Sequence, residues 1–189
     1  KNILILNGGF KNWKKSGGET TVKKTIISKG NFVSKTEKKD LVVNLEEMIS
    51  ISKNNSKVIL DARSYKRFIG EAKEPRPGLQ SGHIPNSKSL PSSELLTNDG
   101  FLKSIEELDK FFSNNNIDTS EDIIATCGSG VSACVISVAL YCLGKENIPI
   151  YDGSWTEYGK ISVCECSGGQ MDYSFRSGHW YRYSCASGN

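Results

Sequence analysis

The 189 residues contain no apolar run approaching the roughly 18 that a membrane-spanning helix requires, which excludes a helical span. The opening residues do not show the basic start, apolar stretch and small-residue cleavage site of a secretory leader. Cysteine is present six times but lacks the distribution of a disulfide framework, because Cys127, Cys134 and Cys142 crowd into one short stretch. That spacing suggests core and catalysis in a reducing compartment, with cytosol and mitochondrion left open. Residues 1–40 hold ten lysines against Glu19, Glu37 and Asp40, a local charge of +7 within a net charge of +3. Those lysines lie among Ser, Thr and Gly without the interleaved aromatics of a stacking surface, so the segment reads as solvated and not as a nucleic-acid site. No membrane or nucleic-acid partner is expected.

What is present describes a globular protein: 37% hydrophobic and 24% charged residues, with a mean hydropathy of −0.38. The length suits one domain with its own core plus additional chain at either end.

Ile3-Leu4-Ile5-Leu6-Asn7-Gly8-Gly9-Phe10-Lys11-Asn12-Trp13 resembles Ile148-Pro149-Ile150-Tyr151-Asp152-Gly153-Ser154-Trp155-Thr156-Glu157-Tyr158. Both read as buried strand, tight turn and aromatic-bearing helix start, so residues 1–15 are expected to be the remnant of a preceding copy in a tandem protein. The sequence would then begin inside a structure, and residues 16–40 would be a linker. A domain over 41–160 follows, with an atypical tail over 161–189.

Within that domain, Asn44 with Glu47 and Ser104 with Glu107 form capping-box signatures of helix starts. Leu45, Met48 and Ile49 supply one apolar face, and Ile105, Leu108, Phe111 and Phe112 the other. Val58-Ile59-Leu60 and Ile123-Ile124-Ala125-Thr126 read as short buried strands. Val131 to Leu143 is apolar nearly all round, a buried helix ended by Gly144. Helices alternating with continuous apolar strands predict an α/β fold with a mostly parallel sheet and helices on both faces. Residues 71–87, with Pro75, Pro77 and Pro85, form a loop long enough to invite a functional reading.

Cys127 falls between a strand and a helix, where ligands of open parallel sheets gather. Gly128 and Gly130 give the chain freedom to curl through Ser129, Val131 and Ser132 so that backbone N–H groups point at the sulfur. Those amides and the positive end of the helix would stabilise a thiolate, which is the nucleophilic form. A cysteine phosphatase uses a similar cradle, but it needs an Arg six positions after the Cys. Position 133 is Ala.

Cys127 to Ala133, together with Asp61-Ala62-Arg63, Gly82-His83-Ile84-Pro85 and Asp152-Gly153-Ser154-Trp155, resembles the C-terminal domain of a two-domain rhodanese, on the mercaptopyruvate sulfurtransferase branch. The resemblance runs from about residue 41 to 158. It implies a rhodanese-like fold and a Cys127 nucleophile carrying sulfur as a persulfide. Arg67 and Arg76 would bind the donor's carboxylate and carbonyl, and Gly128, Ser129, Gly130, Val131 and Ser132 would form the substrate loop. Ser129 is a further candidate for proton transfer.

The neutral Gly128 and Ser129 favour mercaptopyruvate, since a thiosulfate-preferring relative carries basic residues directly after the Cys. Thiosulfate is the alternative donor. A non-enzymatic module that retains only the fold is the alternative from another class. The acceptor would be a thiol, such as thioredoxin or a small thiol, or cyanide, with no cofactor and no metal. Asp61 and Arg63 read as a structural ion pair, and His83 as a hydrogen-bonded side chain that fixes its loop. The family's assisting His and Asp come from the N-terminal domain, so one wall of the site is expected to be open. The tail, without lysine and with five aromatics, departs from the family and reads as disordered or foreign. A metal set of Cys164, Cys166, His179 and Cys185 is the lesser alternative there.

Overall fold

The computed structural model describes residues 4–33 and 38–160, together with the backbone of 172–176 and 179–183. Five strands form one parallel sheet: β1 (Val42–Val43), β2 (Val58–Asp61), β3 (Ser87–Ser89), β4 (Ile123–Thr126) and β5 (Ile150–Tyr151), in the order β1-β5-β4-β2-β3. Six helices accompany them: α1 (Gly9–Lys15), α2 (Leu45–Asn54), α3 (Tyr65–Phe68), α4 (Ile105–Asn114), α5 (Ala133–Cys142) and α6 (Ser154–Tyr158).

Successive residues of the central strands point to opposite faces. Leu60, Ala125 and Cys127 therefore join Leu108 and Phe112 of α4 and Ala133, Ile136, Ala139 and Leu140 of α5 in one buried cluster. Ile59 and Ile124 point the other way and meet Met48 of α2 and Trp155 of α6. Covering both faces explains why β2 and β4 are apolar without alternation. The expected α/β architecture, a parallel sheet with helices on both faces, is what the chain adopts.

Both capping boxes form. The Asn44 side chain accepts from the Glu47 N–H at 2.9 Å while Glu47 accepts from the Asn44 N–H at 3.0 Å, and Ser104 and Glu107 repeat the exchange. Helix α5 ends as expected, with Gly144 at φ 85°, its N–H on the Tyr141 carbonyl and the Lys145 N–H on the Leu140 carbonyl.

Four expectations are corrected. Residues 4–6 form no strand, and Leu4, Ile5 and Leu6 are exposed, because no neighbouring strand pairs with them. The turn and helix after them do form, as α1. Helix α5 begins at Ala133, not Val131, which is exposed, and the helix is buried on one face only, since Tyr141 faces solvent. Cys134 and Cys142 are likewise exposed rather than core residues. Ile105, in the first turn of α4, is exposed while Leu108 and Phe112 are buried, because the stripe meets the sheet only from the second turn on.

Residues 19–33 form neither helix nor strand. Two further strands, β6 (Asp172–Arg176) and β7 (His179–Tyr183), pair antiparallel in a ladder separate from the main sheet. The disorder reading of the remaining tail and the metal set with Cys164, Cys166, His179 and Cys185 concern side chains and segments outside the described residues. Among the described residues, no helix is long and apolar enough to cross a membrane.

Candidate active site

Strand β4 ends at Thr126, and Cys127 opens the loop that turns into α5. The residue is buried, at 1% exposure. Burial alone would push its thiol up, but hydrogen bonds from the Ser132 hydroxyl and the N–H groups of Ser129 and Ala133 outweigh it. They hold the thiol below its ordinary range. The loop thus favours the thiolate through fixed dipoles.

The loop keeps its curl for two reasons. Gly130 sits at φ 77°, and a Cβ there would come within 2.7 Å of Asp152 Oδ1, so no other residue fits without displacing the β5–α6 turn. The first turn of α6 then clamps the loop from below. Ser154, fully buried, accepts the N–H of Cys127 at 3.2 Å and of Gly130 at 2.9 Å, and donates to the Tyr151 carbonyl at 2.8 Å. The N–H groups of Trp155 and Thr156 donate to the carbonyls of Cys127 and Gly128, both at 2.9 Å.

An open pocket of about 400 Å³ lies over the sulfur, lined by Arg67, Pro75, Arg76, Cys127, Gly128, Ser129, Val131 and Ser132. The two arginines come from outside the loop and are held differently. Arg67, which follows β2, donates from Nε and Nη2 to both oxygens of Glu74, at 3.1 and 2.5 Å. Arg76 lies on an exposed stretch of the long loop and donates from Nη1 to Thr156 Oγ1 at 3.0 Å. Glu74 is also bound by Arg63 at 2.9 Å, and Arg63 in turn grips Asp61, donates to the Gly82 carbonyl and stacks over Trp155 at 4.5 Å. Burial would push the Glu74 carboxyl up; the Arg67 hydrogen bond and the charges of Arg63 and Arg67 override it and hold the carboxyl below the usual range. A buried chain Asp61–Arg63–Glu74–Arg67 therefore runs from the end of β2 to the pocket wall.

Of the residues expected at the site, seven line this pocket. Gly130 does not; it turns its back to the pocket and packs on Asp152. His83 stands apart, its Nδ1 on the Phe68 carbonyl at 2.8 Å and its ring stacked on Phe68 at 3.9 Å. Asp61 and Arg63 form the buried ion pair expected of them. Glu74, Ser154 and Thr156 were given no role from sequence. Ser154 stands inside the recognised Asp152-Gly153-Ser154-Trp155 motif, which was the available signal; Glu74 had none, being an ordinary acidic residue in a loop.

The family model for the rhodanese-like domain matches residues 44–161. The chain belongs to the rhodanese family. It is 34% identical over 157 residues to the 3-mercaptopyruvate sulfurtransferase of Mus musculus, covering 83% of this chain and 52% of that protein. It is 39% identical over 158 residues to the thiosulfate sulfurtransferase of Gallus gallus, covering 84% of this chain and 54% of the relative. Among rhodanese structures, SseA from Escherichia coli, described as a 3-mercaptopyruvate sulfotransferase, superposes with a TM-score of 0.69 at 33% identity, over 82% of this chain and 57% of the other. The chain spans about half the length of the curated rhodanese relatives it matches.

Proposed function

We propose that this chain transfers sulfur from 3-mercaptopyruvate to a thiol acceptor through a persulfide on Cys127. The Cys127 thiolate attacks the donor sulfur, forming an S–S bond as the C–S bond breaks. The electron pair of that bond passes into the ketone as an enolate. The proton of the donor thiol ends on the enolate carbon, releasing pyruvate and leaving the anionic persulfide among the loop amides. Arg67 and Arg76 take the carboxylate and carbonyl, and their charge stabilises the enolate. An acceptor thiol, small or carried by a protein such as thioredoxin, then attacks the outer sulfur and regenerates the thiolate; cyanide can serve in its place.

The observation that carries this reading is the contact between Arg67 and Gly128. A Cβ at position 128 would lie 2.8 Å from Arg67 Nη2, which Glu74 holds in place, so the cation beside the Cys reaches the pocket from outside the loop and a side chain at 128 would have to displace it. Cations set away from the sulfur suit a donor whose carboxylate and ketone are remote from its sulfur. Thiosulfate, whose charge adjoins the transferred sulfur, is the second reading, favoured by the identity to thiosulfate sulfurtransferases.

The test is turnover with each donor. Pyruvate release from 3-mercaptopyruvate should exceed turnover of thiosulfate at equal concentration, and the reverse order would select the second reading. Cys127→Ser should abolish both turnover and the persulfide mass increment; residual turnover would overturn the nucleophile assignment.

A further inference from the structure

Arg76 poses a physical problem. It lies on an exposed stretch of a proline-rich loop, and a free arginine of this length has rotamer entropy of about 2 kcal/mol to lose before it can bind anything in one place. Something must hold it over the pocket in advance. The side chain in position is Thr156, on α6, whose Oγ1 accepts from Arg76 Nη1 at 3.0 Å and donates to the Gly128 carbonyl at 2.5 Å. A hydroxyl has one proton to give and lone pairs to receive, so both bonds are satisfied at once. The oxygen is therefore aimed at Arg76 by the sulfur loop itself.

We propose that Thr156 is a positioning residue for Arg76, tying the guanidinium that receives the donor's anionic end to the loop that holds Cys127. This rests on the reading of Arg76 as a donor-binding group. The backbone does not depend on the hydroxyl, because the Thr156 N–H also donates to the Gly128 carbonyl, at 2.9 Å. Removing the hydroxyl should thus loosen Arg76 while leaving Cys127 where it is, and the cost should appear in donor binding and not in sulfur transfer.

The experiment is a double-mutant cycle with Thr156→Val, which keeps the shape and removes the hydroxyl, and Arg76→Gln. Two readouts are needed. One is KM and kcat with 3-mercaptopyruvate; the other is the rate of Cys127 alkylation by anionic iodoacetate relative to neutral iodoacetamide, which senses a cation over the sulfur whatever the natural donor. Thr156→Val should raise KM roughly five- to tenfold with kcat within about twofold, and should lower the iodoacetate to iodoacetamide ratio, as loss of one hydrogen bond to a charged group implies. Thr156→Ser should restore both. In the Arg76→Gln background, Thr156→Val should change neither.

An unchanged alkylation ratio in the Thr156→Val protein overturns the proposal, as does an equal fall in the ratio with and without Arg76. If the ratio responds as expected while 3-mercaptopyruvate is not turned over, the positioning role stands and the donor assignment falls.

Discussion

Residues 4–15 and 150–158 carry similar sequence, an aliphatic run, an Asn/Asp-Gly turn and a helix start with an aromatic, yet they end in different surroundings. In the second, Ile150 and Tyr151 pair with β1 and β4, and α6 is buried against the sheet and the sulfur loop. In the first, Leu4 to Leu6 stay unpaired and exposed, while α1 sits on the surface, held by the Asn12 side chain on the Asp99 carbonyl at 2.8 Å and by Asn7 on the Leu102 N–H at 2.8 Å. The turn and helix form in both because their determinants are local. The strand forms in one because a parallel strand exists only beside a partner. Function follows the same division: where α6 offers Ser154 and Thr156 to the loop, the corresponding positions of α1 are Gly9 and Lys11, which offer no such hydroxyls.

The sharpest way to test that division is Ser154→Ala. It strands the N–H groups of Cys127 and Gly130 in a buried place, at roughly 1–3 kcal/mol for each unsatisfied group, so a loss of about 2–6 kcal/mol in denaturant stability is expected. The loop amides also lose their alignment, so the thiol should move up toward its ordinary range. Because the folded-state value is lowered, thiolate formation contributes stability above the ordinary thiol range, and that contribution disappears as pH falls through the folded value. The pH midpoint of iodoacetamide reaction at Cys127 measures the change; a midpoint that does not rise would leave Ser154 a purely structural residue. Ser132→Ala should raise the midpoint as well, with less loss of stability, since it removes a bond to the sulfur and none to the loop backbone.

Much of the fold was legible because its determinants are local or periodic. Asn44 with Glu47, Ser104 with Glu107 and Gly144 specify helix ends through bonds within a few residues. The apolar runs at 58–60 and 123–126 specify strands buried on both faces. The site was legible as far as Cys127 and its loop, because strand, glycines and helix are contiguous in sequence. What was not legible came from contacts across the chain. Glu74 acquires its role only when folding brings it between Arg63 and Arg67, and Thr156 only when α6 comes under Gly128. The same holds for burial: Cys134 and Cys142 belong to an apolar helix, but the side of α5 that faces the sheet is set by packing.

The surface copy of the motif should respond more weakly, and Asn12→Ala measures it. The change removes one buried side-chain amide and its bond to the Asp99 carbonyl, with an expected loss of about 1 kcal/mol. The alkylation midpoint of Cys127 should not move, since the side-chain bonds that tie α1 to the rest of the domain run to Asp99 and not to the sulfur loop. A shifted midpoint would show that the two copies are coupled through the 97–102 turn and would break the contrast.

The smallest effect is expected from Ile5→Lys. Ile5 is 71% exposed, so the substitution removes little apolar surface from contact with other residues, and it adds a charge where water already reaches. Were residues 4–6 a buried strand, as the aliphatic run suggests, the same change would place an unpaired ammonium in the core and cost several kcal/mol. The two readings differ by far more than the error of a urea titration. A change within about 0.5 kcal/mol is expected; a loss of several would mean that the aliphatic run finds a partner in solution and that the two copies are alike after all.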